Sequence, residues 1–261
     1  MKYYVVADIH SFYTELETAL KEKGFFEDTE PHKLIICGDL FDRGEESVKV
    51  QQFVVDLMDK DEVILIKGNH EDMLLEMVRN ANRWFNLPDI EYSHHWHNRA
   101  VKTVLDLTGL DYFDLDNPTK VVKAIKSTPL FTKIIPAMKD YYETEHYIFV
   151  HGWIPCYEID THVYPKVLGY MDDWREAAVM EWDYARGYNG MLAWSQGIKE
   201  PNKTIVFGHW HCSAFWKREK PEVYKELGDS ANYEPFITKN YIALDARTIR
   251  SKKVNVIVID D

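Results

Sequence analysis

Residues 34–44 read Leu34-Ile35-Ile36-Cys37-Gly38-Asp39-Leu40-Phe41-Asp42-Arg43-Gly44. An apolar run without polar alternation breaks at a glycine into a turn that holds two aspartates and an arginine. Such a run suits a strand buried on both faces of a parallel sheet. The pattern recurs before it, where residues 3–7 lead into Asp8-Ile9-His10, and after it, where residues 63–66 lead into Gly68-Asn69-His70-Glu71. Between these runs Phe12, Leu16, Ala19 and Leu20 recur at helical spacing with Gly24 as a stop, and Val50, Phe53, Val54, Leu57 and Met58 do the same. Strand–helix–strand–helix–strand predicts a parallel sheet with right-handed crossovers. Side chains that do chemistry in such sheets sit just past the carboxyl ends of the strands. Asp8, Asp39 and Asn69 fall there.

Further along, residues 72–145 carry helical patterns (Met73, Leu74, Met77, Val78; Trp96, Ala100, Val101, Val104, Leu105; Val121, Val122, Ile125) and no convincing strand. They read as a helical insertion over the sheet, a lid or a substrate-selecting wall. Strand patterns resume at 147–150, 204–207, 241–244 and 254–259, with a helical stretch at 172–184. The last two runs alternate like an antiparallel pair. Two of the runs end in His151-Gly152 and Gly208-His209-Trp210-His211. With no internal repeat and no Pro/Gly-rich linker, the expectation is one domain over 1–261 with the insertion at about 72–145.

A net charge of −12 argues against a nucleic-acid-binding surface, and an anionic substrate must then be held by local cations. The three cysteines form no CxxC pair or disulfide framework, which suits a reducing compartment. The chain opens on a strand pattern and has no run of about 20 apolar residues, so the expectation is a cytoplasmic protein with no membrane span. Oligomeric state is not readable.

The polar clusters supply carboxylates, imidazoles and an amide. Asp8 and His10, two apart, would share one face of an extended strand end and grip one ion together. Asp39 has two oxygens and could bridge to a second ion, which Asn69, His151 and His209 would complete. His211, two residues past a ligand, points back to the first. Imidazole with carboxylate suits Mn, Fe or Zn better than Ca or Mg. Each cluster alone has a plainer reading: turn chemistry for Asp39, a satisfied core histidine for His151. The set of five at five strand ends is what carries weight.

In order, Asp-x-His, Gly-Asp-x-x-Asp-Arg-Gly, Gly-Asn-His-Glu, His-Gly and Gly-His, the motifs resemble the calcineurin-like metallophosphoesterase superfamily. The Gly38–44 and Gly68–71 strings resemble its phosphoprotein (Ser/Thr) phosphatase branch, which includes bacterial phage-type phosphatases and symmetrical diadenosine tetraphosphate hydrolases. The resemblance implies an α/β fold, a two-sheet β-sandwich with a βαβαβ core flanked by helices. It implies two metal ions, one on Asp8, His10 and Asp39, the other on Asp39, Asn69, His151 and His209. It makes His70 the general acid, Asp42 the group that orients it, and Arg43 the clamp on the phosphoryl oxygens, with Asn69 also facing substrate. The implied reaction is direct in-line attack of activated water on a phosphate monoester, as in a Ser/Thr protein phosphatase. Rival expectations are hydrolysis of a dinucleoside polyphosphate or cyclic nucleotide, and a non-catalytic metal- or ligand-binding module.

Three departures stand out. Gly208-His209-Trp210-His211 replaces the branch's Gly-His-Thr, and the second histidine marks the broader superfamily, so His211 is read as a further metal ligand or as a hydrogen-bond donor behind one. Relatives carry Trp-Ser-Arg where this chain has Trp194-Ser195-Gln196; Arg186 is the nearest substitute for that clamp, or a solvated helix-end arginine. Ser11 stands where relatives have glycine and is expected to cap the next helix. Ser93-His94-His95-Trp96-His97 reads as polar lid surface, because no carboxylate is suitably spaced. Asp245 is read as a hydrogen-bond partner of a ligand histidine or a turn residue. Trp84, Trp96, Trp153 and Trp210 are core aromatics or the frame of a pocket.

Overall fold

The computed structural model describes residues 1–85, 89–160 and 167–261. The apolar runs form strands Lys2–Val6 (β1), His32–Cys37 (β2) and Val63–Ile66 (β3), joined by helices Tyr13–Glu22 (α1) and Ser47–Asp59 (α2). β1, β2 and β3 pair in parallel, in sequence order. Ile257–Asp260, written β11 below, closes the other edge antiparallel to β1.

The second sheet contains Tyr142–Glu143 (β4), Tyr147–Phe149 (β5), Thr204–Phe207 (β8), Phe236–Ile237 (β9) and Tyr241–Ala243 (β10), in the order β4-β5-β8-β10-β9. Its central pairs, β5 with β8 and β8 with β10, are again parallel. A separate hairpin joins Cys156–Asp160 (β6) to Val167–Tyr170 (β7). The sheets face one another across Tyr3, Val5, Ala7, Ile35, Cys37, Phe149, Val206, Ile242 and Leu244, a shared apolar layer. Burial on both faces explains why these strands lack polar alternation.

Helices cover the outer faces. After β3 come Asn69–Arg79 (α3), Ala81–Trp84 (α4), His94–His97 (α5), Ala100–Thr108 (α6), Pro118–Lys126 (α7) and Ile135–Ala137 (α8). Leu74, Met77, Val101, Val104, Val121 and Ile125 bury their apolar faces with α1 and α2 in one core. Val179–Arg186 (α9), Gly190–Ser195 (α10) and Cys212–Glu219 (α11) cover the second sheet, where Trp153 and Trp174 are fully buried. Thr248–Ser251 (α12) precedes β11. Among the described residues no helix is long and apolar enough to cross a membrane.

Three expectations change. Runs 241–244 and 254–259 do not pair with each other: β10 joins β8 and β9, and β11 joins β1 in the other sheet. β10 is buried along its length, whereas β11 alternates and finds its partner β1 at the far end of the chain. Among the described residues of 72–145, β4, two residues long, is the one strand; the other elements there are helices, joined by turns. The stretch 172–184 is a short 3-10 turn at Trp174–Glu176 followed by α9.

One ion pair outside the site tests acid stability. Glu143 accepts hydrogen bonds from Arg175 Nε at 2.8 Å and Nη2 at 2.6 Å, with Lys203 Nζ at 2.8 Å. The Arg175 bonds chiefly, helped by Lys203 and opposed by burial, hold the carboxyl down from 4.5 to about 2. A depressed carboxyl contributes stability that is complete above its unfolded value and is lost as pH falls toward the folded one. Glu143→Gln should therefore flatten the fall of stability between those two values, read from urea melts across pH. An unchanged slope would refute the pairing.

Candidate metal centre

Five of the seven expected ligands sit two or three residues past a parallel strand: Asp8 after β1, Asp39 after β2, Asn69 after β3 at the start of α3, His151 after β5 and His209 after β8; His10 and His211 each lie four residues past one. The two sheets thus deliver their carboxyl ends to one rim. The chain turns abruptly there. Asp8, His10, Ser11, Asp39, Asp42, Arg43 and His209 all take left-handed φ between 50° and 71°. Each such residue costs on the order of 1–3 kcal/mol and persists only where its surroundings fix it. Asp8 and His10 face the centre because of these turns, not through the pleat of an extended strand. Ser11 does not cap α1; its backbone is left-handed and its Oγ meets Ser47 Oγ at 3.0 Å.

Asp39 lies between two donor sets. Its Oδ2 is 3.6 Å from His10 Nε2 and 3.9 Å from His70 Nε2. Its Oδ1 is 3.3 Å from His151 Nε2. Asn69 Oδ1 is 2.9 Å from His151 Nε2 and 2.8 Å from His209 Nδ1. Asp8 Oδ1 is 4.0 Å from His10 Nε2, and both Asp8 oxygens accept the His209 N–H. Ligand atoms of His10, Asp39 and His70, and of Asp39, His151 and His209, each fall within 4.8 Å of one another.

Bonds behind the rings aim them. His10 Nδ1–H donates to Phe41 O at 2.9 Å and His151 Nδ1–H to Cys37 O at 2.8 Å, so both Nε2 atoms face inward. His70 Nδ1–H donates to Asp42 Oδ2 at 2.7 Å. Glu71, to which sequence reading gave no role, accepts Gly68 N–H at 2.8 Å, Leu40 N–H at 3.0 Å and Asp39 N–H at 3.1 Å. It ties the β2 and β3 loops together. Its position three residues after Gly68, at the start of α3, was the available signal. Thr103, also missed, donates from Oγ1 to Asp42 Oδ1 at 2.8 Å. It comes from α6, so the helical segment after β3 buttresses the Asp42-Arg43 turn. Asn98 O accepts the Arg43 N–H at 3.1 Å.

The electrostatics ask for cations. Burial, then neighbouring Asp245, pushes the Asp8 carboxyl well above the usual range. Burial also pushes up Asp39, but His151, His70 and His10 outweigh it and hold that carboxyl well below the usual range. Burial and Arg43 keep His10 neutral, and burial with His151 takes His209 down to about 4. Neutral imidazole is the ligand form. His151, despite burial, is raised to about 10 by Asp39. Arg43 donates from Nη1 to His10 Nε2 at 2.9 Å and from Nη2 to His70 Nε2 at 3.0 Å. A proton on His151 and the Arg43 fork thus supply positive charge at the nitrogens a cation would take. The donor set fits two transition ions.

Residues 1–213 match the calcineurin-like phosphoesterase family. The chain belongs to that family. The symmetrical bis(5'-nucleosyl)-tetraphosphatase of Buchnera aphidicola subsp. Baizongia pistaciae is 28% identical over 145 residues, 49% of this chain and 51% of that protein. The asymmetrical bis(5'-nucleosyl)-tetraphosphatase PrpE of Bacillus velezensis is 33% identical over 85 residues, 30% of this chain and 34% of that one. The chain thus spans about half or less of the length of these relatives. Among solved structures, a mutant cold-active protein tyrosine phosphatase aligns with all of this chain and 75% of its own at a TM-score of 0.50 and 17% identity, a likeness of fold.

Two of the expected residues lie elsewhere. His211 directs Nε2 to Glu226 at 3.1 Å and stacks on Trp210, so it joins neither donor set. Arg186 is not a solvated helix-end arginine. It is buried, with Nε on Asp72 at 2.5 Å, Nη1 on Asp140 at 2.6 Å and Nη2 on Asp183. Each of its three nitrogens donates to a carboxylate, which fixes the fork in the interior. Asp245 is buried beside Asp8 and accepts the Arg247 N–H at 2.6 Å.

Gly208 makes the rim testable. A Cβ there would meet Asp8 Oδ2 at 2.0 Å and the Ala7 Cβ at 2.6 Å. Gly208→Ala should push the Asp8 carboxylate aside and weaken its ion about 10–100-fold, as loss of a ligand's support does. Equilibrium dialysis reads this, with far-UV circular dichroism as the control for folding. Unchanged affinity would show that Asp8 is not a ligand.

Proposed function

We propose that the chain hydrolyses phosphate esters on two transition-metal ions, Mn, Fe or Zn, held by Asp8, His10 and Asp39 and by Asp39, Asn69, His151 and His209. The observation that supports this best is the place of Asp39, whose two oxygens face two separate donor sets. When bound, such a pair lowers the pKa of water and screens the charge of a phosphoryl group.

The chain's own residues do the rest. His70 would carry the proton for the leaving oxygen on Nε2 once phosphoryl oxygens draw the Arg43 fork, which donates to that atom in this structure, off the ring. Burial would strip that proton, but Asp39 and Asp42 outweigh it and raise the imidazole above its ordinary value. Asp42, fixed by Thr103, also keeps the ring aimed through Nδ1. Arg43 reaches both His10 and His70, so its planar fork lies where two phosphoryl oxygens would be held. A pure metal-binding module has no use for this acid–carboxylate–arginine set.

Our reading of the substrate is a phosphate monoester, on a site like that of Ser/Thr phosphatases. A second reading, a dinucleoside polyphosphate, is favoured by the names of the relatives that the chain matches over part of their length. Turnover of a phosphoserine peptide, diadenosine tetraphosphate and a cyclic nucleotide, compared under identical Mn²⁺, separates the two. Monoester hydrolysis with inert dinucleotide supports the first. Anhydride cleavage with no monoester hydrolysis rejects it. Inactivity toward all three rejects the hydrolase reading.

A further inference from the structure

A second group of metal-binding side chains lies in the insertion, outside the residues assigned to phosphate chemistry. α3 carries Glu76, and α5 carries His94 and His95; one ligand atom from each falls within 4.8 Å of the others. The sequence offered no carboxylate at a suitable spacing to these histidines. The fold supplies one from the preceding helix.

His95 is the decisive residue. It is fully buried, its Nε2 is 3.0 Å from Glu76 Oε2, and its Nδ1 has no hydrogen-bond partner among the described residues. A buried nitrogen left unsatisfied costs about 1–3 kcal/mol. With its proton on the unpartnered Nδ1, the ring turns a free Nε2 lone pair toward the Glu76 carboxylate, and the two stand as co-ligands of one ion would. The cluster is also pre-formed. Trp84 packs edge-on against both imidazoles, at 5.2 Å from His94 and 4.6 Å from His95, whose ring centroids are 3.9 Å apart. Glu76 Oε1 is positioned by Asn80 Nδ2 at 2.7 Å and Trp84 Nε1 at 3.0 Å. Donors on a tetrahedral zinc stand roughly 3.3–3.5 Å apart. Closing to that spacing asks for small rotations of His94, which is exposed, and Glu76, which is partly so.

We propose that Glu76, His94 and His95 bind a divalent transition cation such as Zn²⁺, with water completing its shell. Two imidazoles and one carboxylate are a donor set that zinc accepts with an open position. The ion would pin α5 to α3. Asn98, directly after α5, holds the Arg43 backbone, so the ion would also brace the insertion against the catalytic turn.

The test compares the full chain with His94→Ala and Glu76→Gln after equilibrium dialysis against Zn²⁺, counting metal by mass spectrometry. Each variant should bind about one equivalent less than the parent. The difference holds whether or not the Asp39 centre fills, so failure of that centre is distinguishable from failure of this one. His94 is exposed, so its truncation leaves the fold intact, and circular dichroism checks this. A zinc-edge anomalous peak between Glu76 and the two histidines should vanish in His94→Ala. Equal zinc content in parent and variants, or no peak at this position in the parent, would overturn the proposal.

Discussion

Asp39→Asn is expected to leave the protein folded but unable to hold its pair of cations. The side chain keeps its size and can still accept the His70 N–H that Oδ1 takes at 3.0 Å. What it loses is the second anionic oxygen, on which occupancy of both donor sets depends. The charge balance also collapses: Asp39 is the chief group that raises His151, and it supports the protonated state of His70 as well. Metal content at this centre should fall from about two equivalents to one or none. Activity should fall further than the about 10–100-fold typical of a lost supporting group. Two retained equivalents at unchanged affinity would refute the bridge.

His70→Asn should separate chemistry from metal binding. The amide can still accept a hydrogen bond from Arg43, but it cannot deliver a proton at neutral pH. Turnover of a monoester should fall by about 10²–10⁴ with both equivalents of metal retained. A leaving group that needs no proton should recover most of the loss, because the acid then has nothing to do. The raised pKa of His70 sets the sign of the pH dependence: the acid is active below that value and lost as pH rises through it, and the variant should lack this alkaline limb. A variant with wild-type turnover, or one that loses its metal, would contradict the assignment.

Much of the architecture was legible because it rests on local pattern. Runs such as 34–37 and 63–66 are apolar throughout since both their faces are covered, and the polar clusters after them had to lie at carboxyl ends. What was not legible depends on distant partners. The run at 254–259 alternates like a strand with a wet face, yet nothing local says that it will pair with β1, more than two hundred residues away. His211 stands two residues from His209, as a ligand would. The chain turns left-handed at His209, and Glu226, far ahead, captures the second ring. Arg186 ended a helix as a solvated arginine might, but Asp72, Asp140 and Asp183 come from three segments to bury it. Thr103 gave no signal, because its role exists only once α6 folds back on Asp42.

Anomalous diffraction from crystals grown with Mn²⁺ probes the central claim most directly. Two peaks roughly 3.5–4 Å apart, one on each side of the Asp39 carboxylate, are the expected result. One should be reached by Asp8 and His10, the other by Asn69, His151 and His209. A single peak, or peaks that do not share Asp39, would contradict the account.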